Sequence, residues 1–186
     1  MTLEEIFSLV AEHMVEGLMF HSQMSDYYNF LGLKGYAECH KYHYFEENSN
    51  YRKLCEYYMT RFNKLIPERP FKNPNVIPEN WYQFMRQDVD AAVRKAALKA
   101  GIDNWVKWEK DTKKLYETYY KELIALNEVA AALELRSYII DVDEELATAQ
   151  EKDIYLKAID FDIFEVTSVQ EGKHKYYKKK LKEIEL

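Results

Sequence analysis

Proline and glycine are scarce, with four and five among 186 residues. Few positions therefore break or end a helix, and long uninterrupted helices are expected. All four prolines fall between residues 67 and 78, in PERPFKNPNVIP, which predicts one extended connection and leaves the rest of the chain free to coil. Cysteine is nearly absent. Cys39 and Cys55 form no CxxC pair, give no disulfide framework, and fit a reducing cytoplasm. No apolar run approaches the ~18 residues of a membrane span, so no membrane association is expected. The segment MTLEEIFSLV lacks the basic start and unbroken apolar stretch of a secretory signal. With no Gly-rich phosphate loop and no GxSxG elbow either, nucleotide, serine and cysteine chemistry have no support.

What remains is a balanced chain, 47% apolar and 31% charged, with a net charge of -6. Its length fits one domain that buries a real core. The negative balance argues against general nucleic-acid binding. The basic run KHKYYKKK, residues 173 to 180, reads as a solvated tail or a contact with an acidic face.

Helical periodicity covers most of the chain. Residues 2 to about 30 place Ile6, Val10, His13, Gly17, Phe20 and Met24 on one stripe, and Thr2 with Glu5 resembles a capping box. A tight turn at Gly32 and Gly35 leads to a second helix over 34 to 65, whose inner face carries Tyr36, His40, His43, Glu47, Asn50 and Leu54. Residues 80 to 100 predict an extra helix ending at Gly101, within a long crossover. A third bundle helix follows from Asp103 to Leu126, and a fourth from Glu128 to Ile159. Two antiparallel hairpins joined by a long crossover make an all-α four-helix bundle over residues 1 to 160. Residues 161 to 186 form a C-terminal tail, with FDIFEVTSV a short strand or irregular segment and KHKYYKKKLKEIEL a basic helix.

Residues equally far from a hairpin turn lie at one height. Around residue 31 or 32, Glu16 comes level with Glu47, His13 with Asn50, and Phe20 with His43. Around residue 126, Glu109 comes level with Asp143. If the hairpins face each other, Glu16, Glu47, Glu109 and Asp143 converge, with Glu46, Glu144 and Glu145 as close competitors. Four carboxylates in one interior repel severely, and either protons or divalent metal relieve them. Carboxylate oxygens with one or two imidazoles suit iron or manganese better than a structural zinc site. His21 is expected to be peripheral.

The segments WEKDTKKLYETYYKELIAL and YIIDVDEELATAQ, with VEGLMF and FEENSNYRKL before them, resemble the helices of the ferritin-like superfamily, ferritins and bacterioferritins above all. The resemblance covers roughly residues 5 to 160. It implies a dinuclear metal site in which Glu16, Glu47, Glu109 and Asp143 match the ligand positions of the four helices. Asn50 stands where the second-helix histidine is found, and Leu146 where relatives often carry another. His13 or His43 would supply nitrogen in their place. The implied function is oxidation of Fe(II), or related dioxygen or peroxide chemistry, at a carboxylate-bridged pair of iron or manganese ions. The alternative is a bundle of the same fold that holds no metal and acts as a structural or interaction protein. The aromatic stretch near Trp81, Tyr82 and Phe84 points to a homo-oligomer.

Overall fold

A computed structural model of the chain describes residues 1–67, 72, 74, 77 and 83–184, with only the backbone at 170, 171 and 184. Helix α1, Leu3–Phe30, starts on a capping box: Thr2 accepts from the Glu5 amide, and Glu5 accepts from the Thr2 amide. This satisfies two of the amide donors that a helix start leaves open. Gly32, with φ of 77°, turns the chain, and α2 runs Lys34–Phe62. Asn63 ends it in the left-handed region, its amide bonded to the Met59 carbonyl at 2.8 Å. The crossover carries one turn of 3-10 helix at Arg86–Asp88.

Helix α3, Ala91–Ala125, is capped by the Asp90 side chain on the Val93 amide. After a turn at Asn127, α4 spans Val129–Ala158. A fifth helix, α5, spans Ile163–Ile184, opened by Asp162, whose side chain accepts from the Phe164 and Glu165 amides. Helix α1 packs on α2 and α3 on α4, α1 meets α3 across the bundle, and α5 lies along α2. This is the expected all-α four-helix bundle of two hairpins and a long crossover.

Three details differ from the sequence expectation. Residues 91 to 100 are not a separate helix but the first turns of α3, which continues through Gly101. A β-carbon on Gly101 would lie 2.5 Å from the Tyr28 hydroxyl oxygen and 3.0 Å from its ring. The glycine therefore marks a close helix-to-helix approach, not a helix end. The stretch FDIFEVTSV is helical from Ile163 onward, with Val166 buried in the core. Finally, Phe84 is half-buried against the core and not free on the surface, while Trp81 and Tyr82 lie outside the described residues. No helix among the described residues is long and apolar enough to cross a membrane.

The core is divided. Near the α1–α2 turn, Phe20, Met24, Tyr28, Tyr36, Leu98 and Leu156 belong to one apolar cluster. Toward the other end, Ile6, Met14, Leu54, Tyr116, Leu135 and Val142 belong to another. Between them lies a buried layer of His21, His40, His43, Glu47, Glu109 and Glu145.

Replacing Gly101 by alanine opposes two effects. Helix propensity alone favours alanine by about 1 kcal/mol, but crowding the buried Tyr28 costs on the order of 1–3 kcal/mol. Gly101→Ala is thus expected to lower the urea midpoint. A raised midpoint would mean that the tyrosine yields freely.

Candidate metal centre

Each element of the bundle places a side chain in the buried layer. Helix α1 supplies His21, which is fully buried, four residues after Gly17 and three before Met24 on the inward stripe. Its Nε2 lies 3.7 Å from Glu109 Oε1 on α3 and 3.7 Å from Glu145 Oε2 on α4. Its Nδ1 lies 3.0 Å from His40 Nδ1 on α2, so one of these nitrogens donates and the other accepts. His40 is held between the rings of Tyr28 and Trp105. The indole N–H of Trp105 donates to Glu109 Oε1 at 2.9 Å.

A second group adjoins the first. His43 Nδ1 lies 3.1 Å from Glu46 Oε2 and 3.5 Å from Glu145 Oε1. Glu145 thus turns one oxygen toward His21 and the other toward His43. Ligand-capable atoms of His21, Glu109 and Glu145 fall within 4.8 Å of one another, and so do those of His43, Glu46 and Glu145. Buried Glu47 completes the layer opposite Gly17, where a β-carbon would already stand 3.4 Å from its carboxyl group. A cleft of about 570 Å³ between α2, α4 and α5 opens onto His43 and Glu145, with Glu46, Asp141 and Glu144 along its wall.

Burial governs protonation here. Burial, reinforced by Glu145, pushes the carboxyls of Glu47 and Glu109 well above the usual range. Burial holds the imidazoles of His21 and His40 well below theirs. For His43 burial also disfavours charge, but the Glu145 carboxylate and the adjoining Cys39 and Glu46 side chains outweigh it and raise its pKa well above the usual value. Even so, His21 Nε2, Glu145 Oε2 and the Tyr116 hydroxyl are buried with no hydrogen-bond partner among the described residues. Unmatched polar atoms of this kind are rare in native interiors.

The structure brings Glu47, Glu109 and His43 of the sequence-expected residues into the layer. It leaves the others with different partners. Glu16 accepts from the Lys72 amide at 3.0 Å and lies 3.4 Å from His13. His13 stacks on Trp108 and bonds Thr112 at 2.8 Å. Asn50 donates to Asp141 at 3.1 Å. Asp143 is exposed and paired with Lys113 at 2.5 Å. Its height was well placed, but two residues rotate a helix by about 200°, so Glu145 is the inward acid of α4. His21, expected at the periphery, sits at the centre. The i, i+4, i+7, i+11 series Gly17, His21, Met24, Tyr28 carried that signal.

Solved structures share this architecture. The open-pore ferritin of the hyperthermophilic archaeon Archaeoglobus fulgidus superposes with a TM-score of 0.76 at 16% identity, over 92% of this chain and 94% of that one. An engineered closed form of the same ferritin gives the same figures. A humanized archaeal ferritin gives a TM-score of 0.77 at 16% identity, over 92% and 94% of the two chains. No protein-family description matches the sequence, and no curated protein does. The chain has the ferritin-like fold, with all four bundle helices and most of the chain included.

The protonation pattern predicts how the metal-free protein responds to pH. His21 and His40 carry fewer protons folded than unfolded, so they destabilise only as pH falls through about 6.5. Glu47, Glu109 and His43 have raised folded values; the stability they hold is full below their unfolded values and is lost as pH rises through the folded ones. With a chelator present, the wild type is expected to lose more stability as pH rises from about 5, just above the unfolded carboxyl value of 4.5, to pH 9 than Glu109→Gln, which has no proton to give up. Urea midpoints at both pH values check this, and equal losses would contradict it.

Proposed function

We propose that the chain is a ferritin-like metal-binding protein that oxidises Fe(II), or performs related dioxygen or peroxide chemistry, at a carboxylate-bridged pair of metal positions. The observation that carries this reading is Glu145, whose two oxygens face two separate groups of nitrogen and oxygen donors. One position would be held by His21, Glu109 and Glu145, the other by His43, Glu46 and Glu145, with Glu47 beside them. The donor set fits iron or manganese, being carboxylate oxygen with imidazole and no thiolate. The unmatched His21 Nε2 and Glu145 Oε2 are the atoms a cation would satisfy.

Two Fe(II) ions together would give two electrons to dioxygen, which leaves with two protons as hydrogen peroxide. The chain's own residues hold and prepare the site. Glu47, Glu109 and His43, whose protonated forms are favoured while no cation is present, release protons to become ligands. For His21 Nε2 to present a lone pair, its Nδ1 must carry the proton and donate to His40 Nδ1, so His40 sets the tautomer from behind. Trp105 fixes one oxygen of Glu109 in the same way. The carboxylates along the cleft attract cations toward His43 and Glu145.

A second reading, a metal-free bundle serving a structural or interaction role, is favoured by one observation: charged His43 already lies between Glu145 and Glu46 and neutralises part of the layer. Titration of the protein with Mn(II), and with Fe(II) under air followed by near-ultraviolet absorbance, separates the two. His21→Ala and Glu145→Ala are expected to weaken binding at least ~10-fold, His40→Leu by roughly 10–100-fold as for other supporting residues, and Asp143→Ala less than about twofold. Wild-type protein that binds neither ion, or an Asp143→Ala effect as large as that of Glu145→Ala, would overturn the metal reading.

A further inference from the structure

The outer face of α4 carries an apolar stripe that the bundle does not use. Leu133, Ile140, Ala147 and Ile154 recur at intervals of seven residues, and all four are exposed. Leu133 is 56% exposed, Ile140 50% and Ile154 68%. Seven residues bring a helix nearly back to the same angle, with a drift of about 20°, so these side chains form one seam about 30 Å long. Each end of the seam continues into further exposed apolar groups. Ile124, Leu126 and Val129 mark the α3–α4 turn, and Phe164, 82% exposed, lies just beyond the other end of α4. Single exposed apolar residues are ordinary; four on one line at a seven-residue period, with the charges of Arg136 and Glu151 set among them, suit contact with another helix.

We propose that this seam pairs with the same seam of a second copy of the chain, antiparallel, about a two-fold axis beside residues 143 and 144. The charges select this arrangement. Arg136 and Glu151 lie within the stripe's angular range, both exposed. Antiparallel pairing that sets Ile140 of each copy against Ala147 of the other also sets Leu133 against Ile154 and Arg136 against Glu151, twice per dimer, as an isologous contact requires. Parallel pairing in register would set Arg136 against Arg136 and Glu151 against Glu151. At the axis Asp143 comes near Glu144 of the other copy, but Asp143 is already neutralised by Lys113 of its own chain at 2.5 Å. The same pairing carries Phe164 of each copy toward the Leu126 and Val129 end of the other. A contact about one helix wide falls at the lower end of stable interfaces, so the dimer dissociates on dilution.

This inference does not rest on the metal reading, since the apolar seam, Arg136 and Glu151 all lie outside the buried layer. Sedimentation velocity of the full chain over a dilution series tests it, with chelator present. The wild type is expected to sediment as a dimer, or a multiple of one, that shifts toward monomer at low concentration. Ile140→Glu is expected to abolish association. Arg136→Glu or Glu151→Arg alone should weaken it at least ~10-fold, and the two together should restore it, because the exchanged charges meet again only in the antiparallel register. Unchanged thermal midpoints confirm that these surface variants remain folded. A wild type monomeric at every concentration, an Ile140→Glu variant of unaltered size, or a double variant that fails to recover would each overturn the proposal.

Discussion

A belt of ionisable side chains crosses the middle of an otherwise apolar bundle, and the rest of the structure is arranged around carrying it. Each buried charge left alone costs several kcal/mol. The chain limits that cost in three ways. Burial favours the protonated carboxyls of Glu47 and Glu109, it favours the neutral imidazoles of His21 and His40, which share one hydrogen bond, and the charged form of His43 is favoured beside Glu145 and Glu46. The two apolar clusters on either side supply the burial that these polar groups do not, and they fix the heights at which the four bundle helices present them. Gly101 serves the same packing, since it leaves room for Tyr28, which stacks on His40.

Helix α5 adds something that a bundle of four does not require. It lies along α2 and contributes Tyr176, Tyr177 and Lys180 to the cleft that reaches His43 and Glu145. Access to the belt is therefore shaped by a segment outside the bundle. Lys152, buried under Trp105 and 3.5 Å from the Tyr177 hydroxyl, ties that helix to the indole that orients Glu109.

Much of the fold was legible in the sequence because it rests on patterns that backbone geometry enforces. Apolar spacing at 3.6 residues gave the long helices, the LGLKG and Leu126–Asn127 joints gave the hairpins, and proline clustering gave the crossover. Gly101 misled because glycine serves both as a helix stop and as a site of close approach, and only the tertiary contact with Tyr28 separates the two. The candidate site was readable in height but less so in rotation. Counting from a turn places Glu109 and the 143–145 region level, yet it does not say which of several adjacent acids on α4 points inward. Asp143 and Glu145 differ by about 200° of rotation, and packing against α3 decides between them. Glu16 turns to an amide in the crossover, a partner that no local pattern announces. His21 was hidden for a related reason: it borders Phe20 on the apolar stripe, so a histidine there read as an edge residue.

The proposed metal site requires the belt to exchange protons for a cation. Calorimetric titration of the chelator-stripped protein with Mn(II), repeated at pH 7 in buffers of different ionisation enthalpy, measures that exchange directly. Net proton release on binding is the predicted result, because Glu47, Glu109 and His43 all favour their protonated forms before they become ligands. Binding that releases no protons would place the metal on ordinary exposed carboxylates and contradict the account.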